Sequence, residues 1–110
     1  MKNSRRDKIL AYAKEETKKI ISQNLINETA VDALSASLDL GFDRANVSKD
    51  LNSLWKEGKI VKIQGKPVYF LDFETLTDYY PDSFFPTVIS KDEKLSNYFN
   101  HAAKKPSTKK

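Results

Sequence analysis

Asp43-Arg44-Ala45-Asn46-Val47-Ser48-Lys49-Asp50-Leu51-Asn52-Ser53-Leu54 carries two patterns at once. Val47, Leu51 and Leu54 recur at helical spacing and, with Trp55, predict an apolar back. Arg44, Asn46, Ser48 and Lys49 fall on the other arc of the first two turns. Asp43 is a good N-cap and Gly58 a stop, so the spacing predicts a helix over 44–57. Beyond it the period changes from helical to alternating. Ile60 to Gln64 and Val68 to Leu71 are β-rich runs, and Gln64-Gly65-Lys66-Pro67 between them reads as a hairpin turn. In the first run Val61 and Ile63 are expected to face inward, Lys62 and Gln64 outward.

Upstream, the spacing predicts a helix from about Ser4 to Gln23, capped by Ser4 with Asp7 three residues on, and holding Ile9, Ala13 and Ile20 on one stripe. A shorter helix is expected from about Ala30 to Asp39. Thr29 would cap it, Ala30, Ala33, Leu34 and Leu38 would form its buried face, and Gly41 would end it. Leu40-Gly41-Phe42 then suits the tight connection of a helix-turn-helix. Three helices followed by a two-stranded hairpin make an α+β fold, the winged helix-turn-helix, here assigned to residues 1–72.

Residues 73–103 are expected to be a helical extension leading toward a further domain. Phe73, Tyr79, Tyr80, Phe84, Phe85, Tyr98 and Phe99 fall in it, seven of the twelve aromatics of the chain. Its last helix should run from Lys91 to about Ala103. Ser90-Lys91-Asp92-Glu93 would be the capping box, with Leu95, Tyr98, Phe99 and Ala102 on one face. Two roles stand open for these aromatics: covering the winged helix itself, or meeting a partner. Residues 104–110 are polar and expected to be disordered.

Composition narrows the function. Cysteine is absent and His101 is the only histidine, so no metal site and no cofactor are expected. No nucleophile stands beside a base, so an enzyme is not expected. There is no run of about 18 apolar residues and no apolar signal core, which predicts a cytoplasmic protein without a membrane partner. The formal net charge of +4 is unevenly spread: residues 43–66 carry six basic and three acidic side chains, whereas residues 67–100 carry two and six. A basic block on a defined element matters more than overall charge, because phosphate neutralisation is local.

The helix over 44–57 therefore predicts contact with double-stranded DNA. Arg44 suits bidentate contact with guanine and Asn46 with adenine, each worth roughly 1–3 kcal/mol of discrimination. Ser48 and Lys49 would reach phosphates, which position a helix without reading sequence. In the hairpin Lys59, Lys62, Gln64 and Lys66 would meet the backbone; alternatively the lysines protect a sheet edge from aggregation. One module of this size offers few base contacts, so a homo-oligomer, in the simplest case a dimer, is expected.

Arg44-Ala45-Asn46-Val47-Ser48-Lys49-Asp50-Leu51-Asn52, leading through Glu57-Gly58-Lys59 to Ile63-Gln64-Gly65-Lys66-Pro67-Val68-Tyr69-Phe70, resembles the N-terminal domain of levanase-operon-type regulators. These are sigma-54-dependent activators of bacterial sugar phosphotransferase operons. Lys49-Asp50-Leu51-Asn52-Ser53-Leu54 is more loosely similar to the winged helices of DeoR-type sugar repressors. The stronger likeness covers about Thr29 to Leu71. It departs from the family at Asp43, where serine usually introduces the helix. The resemblance implies a longer protein, with an ATPase domain and phosphotransferase regulation domains beyond this chain, and sigma-54 RNA polymerase as a partner reached through them. The 110 residues hold no Gly-x-x-x-x-Gly-Lys-Ser/Thr loop. The rival readings are a winged helix serving protein interaction or dimerisation without specific DNA binding, and single-stranded RNA binding through sheet aromatics, for which Tyr69 alone is placed.

Overall fold

A computed structural model describes residues 4–25, 29–90 and 92–98. The first helix, α1 (Arg5–Ser22), starts at the expected cap. The Ser4 hydroxyl accepts from the Asp7 N–H at 3.1 Å, and the Asp7 carboxylate accepts from the Ser4 N–H in return. Ile9, Ala13, Thr17 and Ile20 form its buried stripe.

The second helix, α2 (Ala33–Leu40), begins three residues later than expected, and Thr29 does not cap it. Both backbone groups of Val31 are bonded to Phe70 instead, at 3.0 and 2.7 Å, which holds the chain extended at that point. Its buried face also differs from expectation. Ala36 and Ser37 are buried, whereas Leu34 and Leu38 are exposed, Leu38 to 73%. Ala33, Ala36, Ser37 and Leu40 lie at i, i+3, i+4 and i+7, so α2 approaches its neighbours along a stripe of mostly small residues. Gly41 closes the helix in the left-handed conformation, φ 75°, where glycine is favoured.

The third helix, α3 (Arg44–Lys56), is capped by Asp43, whose carboxylate accepts from the Ala45 N–H at 3.1 Å. Val47, Leu51 and Leu54 are buried as expected; Trp55 is half-buried. Strands β1 (Ile60–Ile63) and β2 (Tyr69–Asp72) pair antiparallel, from Ile60 opposite Asp72 to Ile63 opposite Tyr69. The winged helix-turn-helix is thereby complete.

The chain then turns back on the sheet. Asp72 caps a helix, α4 (Phe73–Tyr79), accepting from the Thr75 N–H at 2.8 Å. A short strand, β3 (Val88–Ile89), pairs parallel with β1, so the sheet order is β2-β1-β3. The α-helix expected from Lys91 does not form in the described residues there: 92–94 are non-helical and Leu95–Tyr98 make a single 3-10 turn, while residues 99–103, with Phe99 and His101, lie outside the described residues. The cap before that turn forms in part. Glu93 accepts from the Ser90 N–H, but the Ser90 hydroxyl takes the Asp92 N–H.

This return layer changes the meaning of the alternation in β1. Ile60 and Val61 are both 1% exposed. Ile60 and Phe70 complete a core with Ile9, Ala13, Val47, Leu51 and Leu54, while Val61 and Leu71 join Ile20, Leu76, Phe85, Ile89 and Leu95 in a second. No face of β1 is left as a plain solvent face, and Lys62 shares the side of Ile60, turned toward α3. Each fully buried aliphatic side chain contributes about 1.5–3 kcal/mol, more than an exposed ion pair. Phe73, Tyr80, Phe85 and Tyr98 pack on the second core, but Tyr79 and Phe84 stay outside, Phe84 91% exposed. Among the described residues no helix is long and apolar enough to cross a membrane.

Candidate nucleic-acid interface

The outer surface of α3 follows from its buried one. At about 100° per residue, Val47, Leu51 and Leu54 fix the inner arc, and three strips remain. Arg44, Ser48, Asn52 and Trp55 run along the side toward the hairpin. Asn46, Asp50, Ser53 and Glu57 run along the side toward α1, and Ala45, Lys49 and Lys56 lie between. Arg44 and Asn46, read from sequence as one edge, stand about 160° apart around the helix. They flank a ridge whose exposed cations are Lys49 and Lys56.

On the hairpin side, a cleft of about 210 Å³ brings Arg44 and Ser48 together with Lys62, beside Asn52, Pro67 and Phe70, with Asp32 on its rim. Lys62 is not a free outward cation. Its Nζ lies 4.3 Å from the centre of the Trp55 ring and donates to Asn52 Oδ1 at 3.3 Å. The Asn52 amide in turn donates to the Ser48 carbonyl at 2.9 Å. Gln64 and Lys66 are exposed at the hairpin tip, apart from that cleft.

On the α1 side, three acids could have cancelled the basic helix face. Two are taken by arginines. Arg5 Nε and Nη2 donate to Asp50 at 2.5 and 3.3 Å, and Arg6 pairs with Glu57 and reaches the Ser53 hydroxyl at 3.4 Å. Hydrogen bonding to Asp50 and to Glu57 raises the two guanidinium pKa values further above their ordinary value. Asp43, the third, is the helix cap. Among the described residues no acid forms an ion pair with Arg44, Lys49, Lys56, Lys62 or Lys66. The face therefore presents positive charge uncompensated by its own carboxylates, in reach of solvent.

Of the residues expected from sequence, Arg44, Asn46, Lys49, Gln64 and Lys66 are exposed, and Ser48 and Lys62 half-buried. Sequence reasoning missed Lys56, Asn52, Arg5 and Arg6. Lys56 was within reach, standing seven residues after Lys49 on the same strip. The arginine pairs link positions 45 and 51 apart in the chain, which local pattern does not reveal. Among the described residues no group of three His, Cys, Asp or Glu converges on a metal-sized site.

Fold and surface together define the class: an α+β winged helix-turn-helix with an unneutralised cationic third helix. The chain is 40% identical over 68 residues to the transcriptional regulatory protein DagR of Salmonella typhimurium (strain 14028s / SGSC 2262), a match covering 62% of this chain and 7% of that protein. It thus spans a small part of the regulator that it resembles. No family model matches the chain, and no solved structure matches it.

Proposed function

We propose that this chain is the double-stranded DNA-binding part of a cytoplasmic bacterial transcription regulator. The exposed ridge of α3 enters the major groove and the hairpin tip meets the backbone. The observation that carries the reading is the charge arrangement: Arg5 and Arg6 hold Asp50 of α3 and Glu57 at its end, leaving Arg44, Lys49 and Lys56 unpaired toward solvent. Arg44 and Asn46, on opposite flanks, contact bases near the two walls of the groove, while Ser48, Lys49, Lys62, Gln64 and Lys66 hold phosphates and sugars. The likeness to a transcriptional regulatory protein supports the same reading. Its finer form is the N-terminal domain of a sigma-54-dependent activator of a sugar phosphotransferase operon, acting as a homo-oligomer on paired half-sites, with sigma-54 RNA polymerase engaged through domains beyond this chain. That form rests on the resemblance of residues 29–71.

Selection of binding sites from random duplexes tests the reading. The expected result is one enriched motif, bound with an affinity that falls steeply with salt. Arg44→Ala or Asn46→Ala relaxes preference at one base position, and Lys66→Ala weakens all sequences alike while flattening the salt slope by about 1. Failure to enrich any duplex, or binding indifferent to salt, overturns it. A second reading, a winged helix that binds protein through its tail, is favoured by the 91% exposure of Phe84, and it predicts no enriched motif.

A further inference from the structure

One backbone oxygen joins three parts of the molecule. The Thr87 carbonyl accepts the Lys62 N–H at 2.9 Å and the Trp55 indole N–H at 2.9 Å. Two residues on, the Ile89 carbonyl accepts the Gln64 N–H at 2.9 Å. The segment 87–89 thus grips the hairpin strand at Lys62 and Gln64 and, through Trp55, the last turn of α3. Trp55 is itself the ring over which the Lys62 ammonium lies, and Asn52 on α3 accepts a hydrogen bond from that ammonium. Backbone and side chain of Lys62 are therefore both set by Thr87, one directly and one through Trp55.

A lysine loses rotamer freedom when it is immobilised against a phosphate, and fixing it beforehand reduces that cost. Lys62 shares its cleft with Ser48 and with the base-reading Arg44, so its posture decides whether Lys62 and Ser48 meet the DNA backbone together beside that arginine. Ile89, fully buried, anchors the strap in the second core.

We propose that Trp55 and the Thr87 carbonyl are positioning residues for DNA binding: the strap 87–89 holds Lys62 in its binding posture, so that the segment following the winged helix sets the affinity of the face in front of it. This rests on the DNA-binding reading above.

The test uses the full chain and the duplex selected by the wild type. Trp55→Phe keeps an aromatic face for Lys62, though a smaller and weaker one, and removes the indole donor, so affinity should fall about fivefold, as for one lost hydrogen bond. In a Lys62→Met background the same change should have almost no effect, because the loss acts through Lys62. In the wild type, adding duplex should slow hydrogen exchange at the Lys62 and Gln64 amides, since coupling is reciprocal. Unchanged affinity in Trp55→Phe, a full fivefold loss persisting in Lys62→Met, or exchange unaltered by duplex each overturns the proposal. The exchange measurement decides even where Trp55→Phe fails to fold. A wild type that binds no duplex overturns the DNA-binding reading instead, and this inference with it.

Discussion

The two faces of one small sheet serve different ends. Toward α3, Ile60 and Phe70 close the core that holds the helix-turn-helix, and the polar residue on that side, Lys62, is drawn into the candidate interface. Away from α3, Val61 and Leu71 meet Leu76, Phe85, Ile89 and Leu95, all supplied by residues beyond the hairpin. The first face builds a surface; the second ties that surface to the chain that follows. A two-stranded hairpin is marginal by itself, and here each side has its own cover. Asp72 stands at the junction. It ends β2, caps α4, and through its N–H bonds the Thr17 hydroxyl of α1 at 3.0 Å.

The comparison is broken hardest by removing a side chain from the α3 side. Leu51→Ala should destabilise by about 3 kcal/mol through lost burial and a residual cavity, read by urea denaturation. Ile89→Ala, on the other side, should loosen the strap as well as the core. If the two cores form one cooperative unit, both variants unfold in a single transition; a first transition confined to residues 73–98 in Ile89→Ala would separate them.

Next in size is the junction. Lys14 donates to Asp72 at 3.3 Å and also pairs with Glu74, while the Asp72 side chain is fully buried with one oxygen, Oδ1, unpartnered among the described residues. Lys14→Met leaves a buried carboxylate without its cation and should cost about 2 kcal/mol, less than for a fully enclosed pair because Lys14 is partly exposed. The cost is checked by thermal denaturation.

The same staple gives a pH dependence. Hydrogen bonding to Lys14 and its charge lower the Glu74 pKa below the ordinary carboxylate value. For Lys14, burial pulls the pKa down, but Glu74 and Asp72 outweigh it and the net shift is upward. A lowered carboxylate pKa stabilises the fold above its unfolded value and loses that contribution as pH falls through the folded one. A raised lysine pKa contributes below its unfolded value and is lost as pH rises through the folded one. Protection of the α4 amides should therefore hold at neutral pH and decline below the ordinary carboxylate range. In Glu74→Gln that acid decline should be reduced. The smallest effect is expected at Leu38: Leu38→Lys should change stability by less than about 0.5 kcal/mol, whereas the sequence reading of α2 would make it a core lesion.

Leu38 shows where local pattern gives out. Both α3 and α2 carry an apolar stripe at helical spacing, and in α3 the large side chains are the buried ones. In α2 the inward stripe is Ala36 and Ser37, buried, flanked by the half-buried Ala33 and Leu40, and Leu34 and Leu38 lie outside. In α2 size points to the wrong face, because the helix packs on its neighbours through small residues. The start of α2 was likewise hidden, since Val31 is held extended by Phe70, thirty-nine residues on.

Sequence alone determined the order of elements as far as the hairpin, the Ser4 and Asp43 caps, the left-handed turn at Gly41, the aliphatic back of α3 and the exposure of Arg44, Asn46 and Lys49. Those depend on residues within a turn or two of one another, so spacing and side-chain chemistry suffice. Tertiary structure decided which acids are neutralised, where Lys62 lies, that β1 is covered on both faces, and that the tail supplies a third strand. Each of those joins groups far apart in the chain, and only packing chooses their partners.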